Sequence, residues 1–188
     1  MPNLKIIGVI AFQGSVEEHL ACFKNLGIKT KLIRQITDLE KITHLVIPGG
    51  ESSVIGRFLE SSGLAALIQK KYQANELAIW GTCAGAILLG KIASPYCLNL
   101  IDIECERNAY GSQAHSFEKQ LTTGLQKCKN IIGIFVRAPK IKRIGSQVKI
   151  LAEFNNLPVL CQEKRILIST FHPELTNNNC IQQYFLSL

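Results

Sequence analysis

Leu77-Ala78-Ile79-Trp80-Gly81-Thr82-Cys83-Ala84-Gly85 is the stretch that decides how this chain is read. Four apolar residues make a short buried strand. A cysteine follows, with a glycine two residues away on each side. A chain that turns sharply from strand into helix passes close to itself, and small residues at both flanks permit that passage while the apex side chain stays exposed. The spacing predicts a helix over 84–91. Its N-terminal N–H groups and positive dipole end face the sulfur and favour thiolate over thiol. The motif is therefore a nucleophile elbow, and Cys83 is its candidate nucleophile.

Working outward, the same alternation repeats. Leu4 to Phe12, Ile28 to Ile33 and His44 to Ile47 read as strands. Ser15 to Leu26, Ser52 to Leu59 and Leu64 to Tyr72 carry helical spacing, with Ser15 as a cap and Gly27 as a stop. Strands alternating with helices imply an α/β fold in three layers, a mostly parallel central sheet with helices on both faces. After Ser94 the pattern shifts to short β-like pieces: 101–104, 131–136, 148–153, 158–161 and 166–171. A last helix starts near Asn179. No repeat or linker interrupts the 188 residues, which read as a single domain, 1–188.

Composition narrows the classes. With 47% hydrophobic and 19% charged residues, the chain is an ordinary globular protein rather than a disordered one. No apolar stretch approaches the ~18 residues of a membrane span. The N-terminal apolar run is short, ends at Gln13-Gly14 and lacks a small-residue cleavage site, so it reads as a first strand in a cytoplasmic protein. The seven cysteines are odd in number and include no C-x-x-C pair, which indicates neither a disulfide framework nor a zinc site, and fits a reducing compartment. The net charge of +7 is scattered. Its densest group, Lys140, Lys142 and Arg143, lacks interleaved aromatics, so a solvated face or a dock for an acidic protein is a better reading than nucleic-acid binding.

Two further motifs supply chemistry. In Phe171-His172-Pro173-Glu174, residues two apart share a side of an extended segment, and Pro173 stiffens the turn. Glu174 can thus hold the His172 imidazole in one tautomer, forming the base and orienter of a triad. Pro48-Gly49-Gly50-Glu51-Ser52 follows a strand and precedes a helix. Its backbone N–H groups can face a ligand unhindered, and one of them, with that of Ala84, can bind an oxyanion. A tight strand–helix turn would use the same glycines.

Taken together, Gly81-Thr82-Cys83-Ala84-Gly85 and His172-Pro173-Glu174 resemble the class I (triad) glutamine amidotransferase domains. Finer motifs narrow the resemblance to the glutaminase subunit of pyridoxal 5′-phosphate synthase. They are Gly8-Val9-Ile10-Ala11-Phe12-Gln13-Gly14 with Glu18-His19, Pro48-Gly49-Gly50-Glu51-Ser52, Glu106-Arg107-Asn108-Ala109-Tyr110-Gly111, Ser116-Phe117-Glu118, Val136-Arg137-Ala138-Pro139 and Phe171-His172-Pro173-Glu174-Leu175-Thr176. The resemblance runs from about Ile7 to the C-terminal helix.

It implies that Cys83 attacks the side-chain amide of L-glutamine, that His172 relays the proton, and that Glu174 completes the triad. It implies that Gly50, Glu51, Ser52, Arg107, Val136 and Arg137 bind glutamine, and that Gly50 and Ala84 form the oxyanion hole. It implies a (β/α)₈-barrel synthase partner that consumes the ammonia to build vitamin B6, with no metal or organic cofactor in this subunit. An arginine fork suits the α-carboxylate of glutamine. A backbone contact is the alternative for Arg137 and Val136, and a surface ion pair with Glu104 or Glu106 is the alternative for Arg107. Ser112 stands where the family usually has an arginine. His19 fits either a contact with the synthase or a plain helix surface, His44 opens a core strand without a chemical role, and His115 lies in a polar loop. Two rival readings remain: a different cysteine hydrolase on the same elbow, and a non-catalytic subunit that only docks.

Overall fold

The computed structural model of the chain describes residues 5–91, 96–107 and 116–188. The segment Asn108 to Gly111, Ser112 and His115 lie outside these residues. The order of elements is β1 (Ile6–Ile10), α1 (Val16–Asn25), β2 (Lys29–Ile33), β3 (His44–Ile47), α2 (Ser52–Ser61), α3 (Leu64–Gln73), β4 (Ala78–Thr82), α4 (Ala84–Leu89), β5 (Ile103–Glu106), β6 (Phe117–Thr122), β7 (Asn130–Phe135), β8 (Lys140–Ile144), β9 (Lys149–Phe154), β10 (Leu157–Glu163), β11 (Ile166–Ser169) and α5 (Cys180–Leu186).

The main sheet has seven strands in the order β2-β1-β3-β4-β11-β10-β9. Strand β10 runs antiparallel to both neighbours, and every other pairing is parallel. Two small antiparallel pairs, β5-β8 and β6-β7, lie beside it. The mostly parallel sheet is the one the sequence predicts. Strands β6 and β8, both rich in charged residues, carry too little apolar alternation to announce themselves.

The central strands read as unbroken apolar runs because both faces of the sheet are covered. Alternation sorts their side chains. Leu45, Ile47 and Ile79 join the cluster under α2, α3 and α4, with Ile55, Leu59, Leu64 and Ile68. Val46, Ala78 and Trp80 join the opposite cluster, with Phe23 of α1, Ile181 and Phe185 of α5, and Leu121, Ile131 and Phe135 of the β6-β7 hairpin. One covering layer is thus partly β rather than wholly helical.

One expectation changes. Cys128 and Cys180, 52 residues apart, are joined as a disulfide that fastens the turn before β7 to the start of α5. Such a pair has no local spacing to reveal it. Two residues of the basic group on β8 pair with acidic residues on and just before β5, on an exposed face. Lys142 pairs with Glu106 at 2.8 Å, and Arg143 bridges Asp102 at 2.8 Å and Glu104 at 2.6 Å. No helix among the described residues is long and apolar enough to cross a membrane.

Candidate active site

The site gathers at the carboxyl ends of the parallel strands, where an open α/β sheet leaves a crevice. Strand β1 leads to Gln13-Gly14-Ser15, β3 to Gly49-Gly50, β4 to Cys83, and β11 to His172 and Glu174. Residues leaving β5 and β7 add Arg107, Val136 and Arg137.

At the elbow, Cys83 has φ 47° and ψ −101°, a conformation that a residue with a Cβ adopts only when its surroundings impose it. Its N–H donates to Ser169 O at 2.8 Å, tying the turn to the neighbouring strand. The flanking glycines are required by contact. A Cβ on Gly81 would stand 2.5 Å from the Gly85 backbone, and one on Gly85 would stand 2.0 Å from Ile47 O. The elbow expectation is met at the level of atoms.

His172 touches Cys83 on one side and Glu174 on the other. Its Nδ1 lies 2.7 Å from Glu174 Oε1, with both side chains almost fully buried. The short contact to a carboxylate makes Nδ1 the donor and turns the other ring nitrogen toward the sulfur. Burial works against the imidazolium, but hydrogen bonds to Cys83 and Glu174 and their charges prevail, and the His172 pKa is pushed up to about 10. Burial likewise works against the Glu174 carboxylate. The charge of His19 when that ring is protonated, the hydrogen bond and charge of His172, and the Ser15 hydroxyl overcome it and hold the acid down at about 2. Strongly perturbed groups facing one another in a cleft are a mark of a reactive site.

A cleft of about 240 Å³ opens in front of the cysteine. Gly50, Glu51, Ser52, Cys83, Ala84, Arg107, Val136, Arg137 and His172 all line it, with Gln13, Gly14, Ser15, Gly49 and Ile87. Glu174 stands behind His172. Every residue singled out for the site in the sequence is thus brought to one place. Arg107 Nη2 pairs with Glu51 Oε1 at 2.7 Å, and not with Glu104 or Glu106. The Cys83 thiol points to Val136 O at 3.7 Å, and Arg137 has φ 45°, a second strained residue at the cleft.

Four residues carry roles the sequence did not reveal. The Ser15 hydroxyl makes no cap bond on α1, and donates instead to Glu174 Oε1 at 2.7 Å. Gln13 Oε1 accepts from Glu51 N–H at 2.7 Å. Thr82 Oγ1 accepts from Gly49 N–H at 3.0 Å. His19 is fully buried, so it is neither a surface residue nor available to a partner. A signal for His19 was present: it lies three residues after Val16 and four before Phe23, on the inward face of α1. His44 is buried edge-on against Phe185, and burial with nearby cations lowers its pKa to about 4, consistent with a core role.

Comparison with known proteins places this geometry. The family model of the SNO glutamine amidotransferase family matches residues 9–188. The chain belongs to that family. The subunit PdxT of pyridoxal 5′-phosphate synthase from Thermus thermophilus is 40% identical over 187 residues, covering 97% of each chain. The same subunit from Francisella tularensis is 43% identical over 183 residues, covering 97% of this chain and 98% of its own. A crystal structure of a glutamine amidotransferase superposes with a TM-score of 0.91 at 39% identity, covering 96% of this amidotransferase chain and 97% of the other. PurLQS from Thermotoga maritima, at 15% identity and a TM-score of 0.75 over 97% of this chain and 98% of that one, shares the fold.

Proposed function

We propose that this chain is a glutaminase. It hydrolyses L-glutamine to L-glutamate and ammonia, and passes the ammonia to a (β/α)₈-barrel synthase subunit that makes pyridoxal 5′-phosphate. In this reading the 188 residues act as one domain in the cytoplasm, in a hetero-oligomer without nucleic acid or membrane. The observation that carries the reading is the Cys83–His172–Glu174 arrangement, with its 2.7 Å His–Glu bond, at the base of the cleft.

Glutamine enters with its amide toward Cys83 and its charged end toward Glu51, Ser52 and Arg107. The Arg107–Glu51 pair is roughly half exposed, and such pairs are worth about 0–1 kcal/mol, so the α-carboxylate and α-ammonium can compete for both partners. Val136 and Arg137 close the other wall. The sulfur adds to the amide carbon, and His172 carries the proton that Cys83 gives up. Charge collects on the amide oxygen, where the N–H groups of Gly50 and Ala84 receive it. One such donor contributes about 3 kcal/mol to a transition state. His172 then delivers its proton to the nitrogen, the C–N bond breaks and ammonia leaves. Water attacks the glutamyl thioester, His172 takes its proton, the C–S bond breaks and the sulfur recovers a proton. Glu174 keeps the imidazole aligned throughout.

The test mixes the chain with the synthase subunit of its relatives and glutamine, and measures glutamate. Glutamate released at a rate that depends on the synthase supports the reading. No glutamate under those conditions overturns it.

A further inference from the structure

We propose that His19 is a positioning residue for this reaction, joining the triad acid to the glycine loop of the oxyanion hole through Thr82. The proposal rests on the glutaminase reading above, and assigns a task to a buried histidine that the reaction does not otherwise use.

The geometry has three parts. His19 Nε2 lies 3.1 Å from Thr82 Oγ1 and 3.5 Å from Glu174 Oε1. Thr82 Oγ1 in turn accepts the N–H of Gly49 at 3.0 Å. The ring stands edge-on to Trp80 at 5.5 Å and 80°, so its plane is fixed. One imidazole nitrogen therefore faces both the carboxylate that orients His172 and the hydroxyl that holds Gly49.

The proton can be assigned by elimination. Burial lowers the His19 pKa, against the opposing charge of Glu174, and the nearby His172 lowers it further, so the ring is neutral at neutral pH. A neutral ring has one N–H. With the proton on Nδ1, the Nε2 lone pair would face a carboxylate oxygen, and a buried N–H would lack an acceptor, since Nδ1 has no partner among the described residues. The proton belongs on Nε2, shared between Thr82 Oγ1 and Glu174 Oε1.

The neighbouring residue completes the device. Ser15, one turn earlier on the same segment, donates its hydroxyl to Glu174 Oε1 and its N–H to Gly49 O at 3.1 Å. The start of α1 thus holds Glu174 twice, and holds Gly49 by its carbonyl directly and by its N–H through Thr82. The loop has no slack to absorb a change. A Cβ on Gly49 would stand 2.3 Å from His172 Cε1. Removing the Nε2 donor should let the acid and the loop drift relative to one another, and the error should appear in the chemical step rather than in glutamine binding.

The test compares His19→Leu, His19→Gln and Thr82→Val with the wild-type chain in the complete synthase complex, reading kcat and KM for glutamine separately. A silent wild type would indict the glutaminase reading; the comparison among variants tests His19. His19→Leu and Thr82→Val should lower kcat by roughly 10- to 100-fold, the range expected of sub-ångström misplacement, with KM within about twofold. His19→Gln, whose amide nitrogen reaches the position of Nε2, should recover most of the loss. Should His19→Leu fail to fold, the glutamine and valine variants decide alone. An unchanged kcat in Thr82→Val, or a His19→Gln variant that folds with normal thermal stability yet stays as slow as Thr82→Val, overturns the proposal.

Discussion

Glu174 Oε1 receives His172 Nδ1 and the Ser15 hydroxyl, each at 2.7 Å, with His19 Nε2 at 3.5 Å. Neutralising such a carboxylate misorients the base without emptying the space. Glu174→Gln should therefore lower kcat by about 10³- to 10⁴-fold while the fold persists. Steady-state glutamate release, with circular dichroism as a control, checks this; a rate within tenfold of wild type would make Glu174 a structural residue. The three members of the proposed triad were picked out in the sequence because each sits in a short, stereotyped motif. Ser15, His19 and Thr82 were not, because their partners lie 159, 155 and 33 positions away in the chain, and no local pattern encodes a contact made only by folding.

Among the elements, the β4-to-α4 elbow leaves no room for an added methyl. A methyl on Gly85 must displace the Ile47 carbonyl 2.0 Å away, an overpacking that costs about 1–3 kcal/mol. For Gly85→Ala we expect the thermal midpoint to fall by roughly 3–10 °C, together with loss of activity; calorimetry with an unchanged midpoint would contradict the contact. The α1 helix shows why element existence is easier to read than element use. Its apolar spacing located Val16–Asn25 closely, yet Ser15 spends its hydroxyl on Glu174 instead of the helix end. The Cys128–Cys180 link makes another prediction at this scale. Closing a loop of 52 residues stabilises by about 2–4 kcal/mol. Under oxidising conditions Cys180→Ser should melt below wild type, and reductant should erase the difference; an equal gap in reductant would show that the bond contributes nothing.

For the whole molecule, two buried titrating groups of opposite sign set a pH window. The Glu174 acid is lowered from 4.5 to about 2 in the fold, so its contribution is present above pH 4.5 and fades as pH falls toward 2. The His172 cation is raised from 6.5 to about 10, so its contribution is present below pH 6.5 and fades as pH rises toward 10. Thermal midpoints of wild type minus Glu174→Gln should differ most between about pH 4.5 and 6.5 and converge as pH falls below 4.5; a difference flat with pH would contradict the pairing. The three-layer plan was legible because short apolar runs and period-3.6 patterns alternate clearly through the first 90 residues. The charged strands β6 and β8 follow tertiary pairing rather than propensity.

In the proposed reaction Cys83, and no other cysteine, attacks glutamine's amide carbon at the base of the cleft. Burial pushes the thiols of Cys105 and Cys161 up to about 12, while Cys22 and Cys97 lie buried outside the cleft lining. The most direct measurement treats the synthase complex with a glutamine analogue bearing an electrophilic carbon in place of the amide, and maps the adduct by peptide mass spectrometry. One adduct is expected, on Cys83, suppressed by excess glutamine. An adduct on another residue, or labelling of Cys83 that glutamine does not suppress, would contradict the proposed reaction.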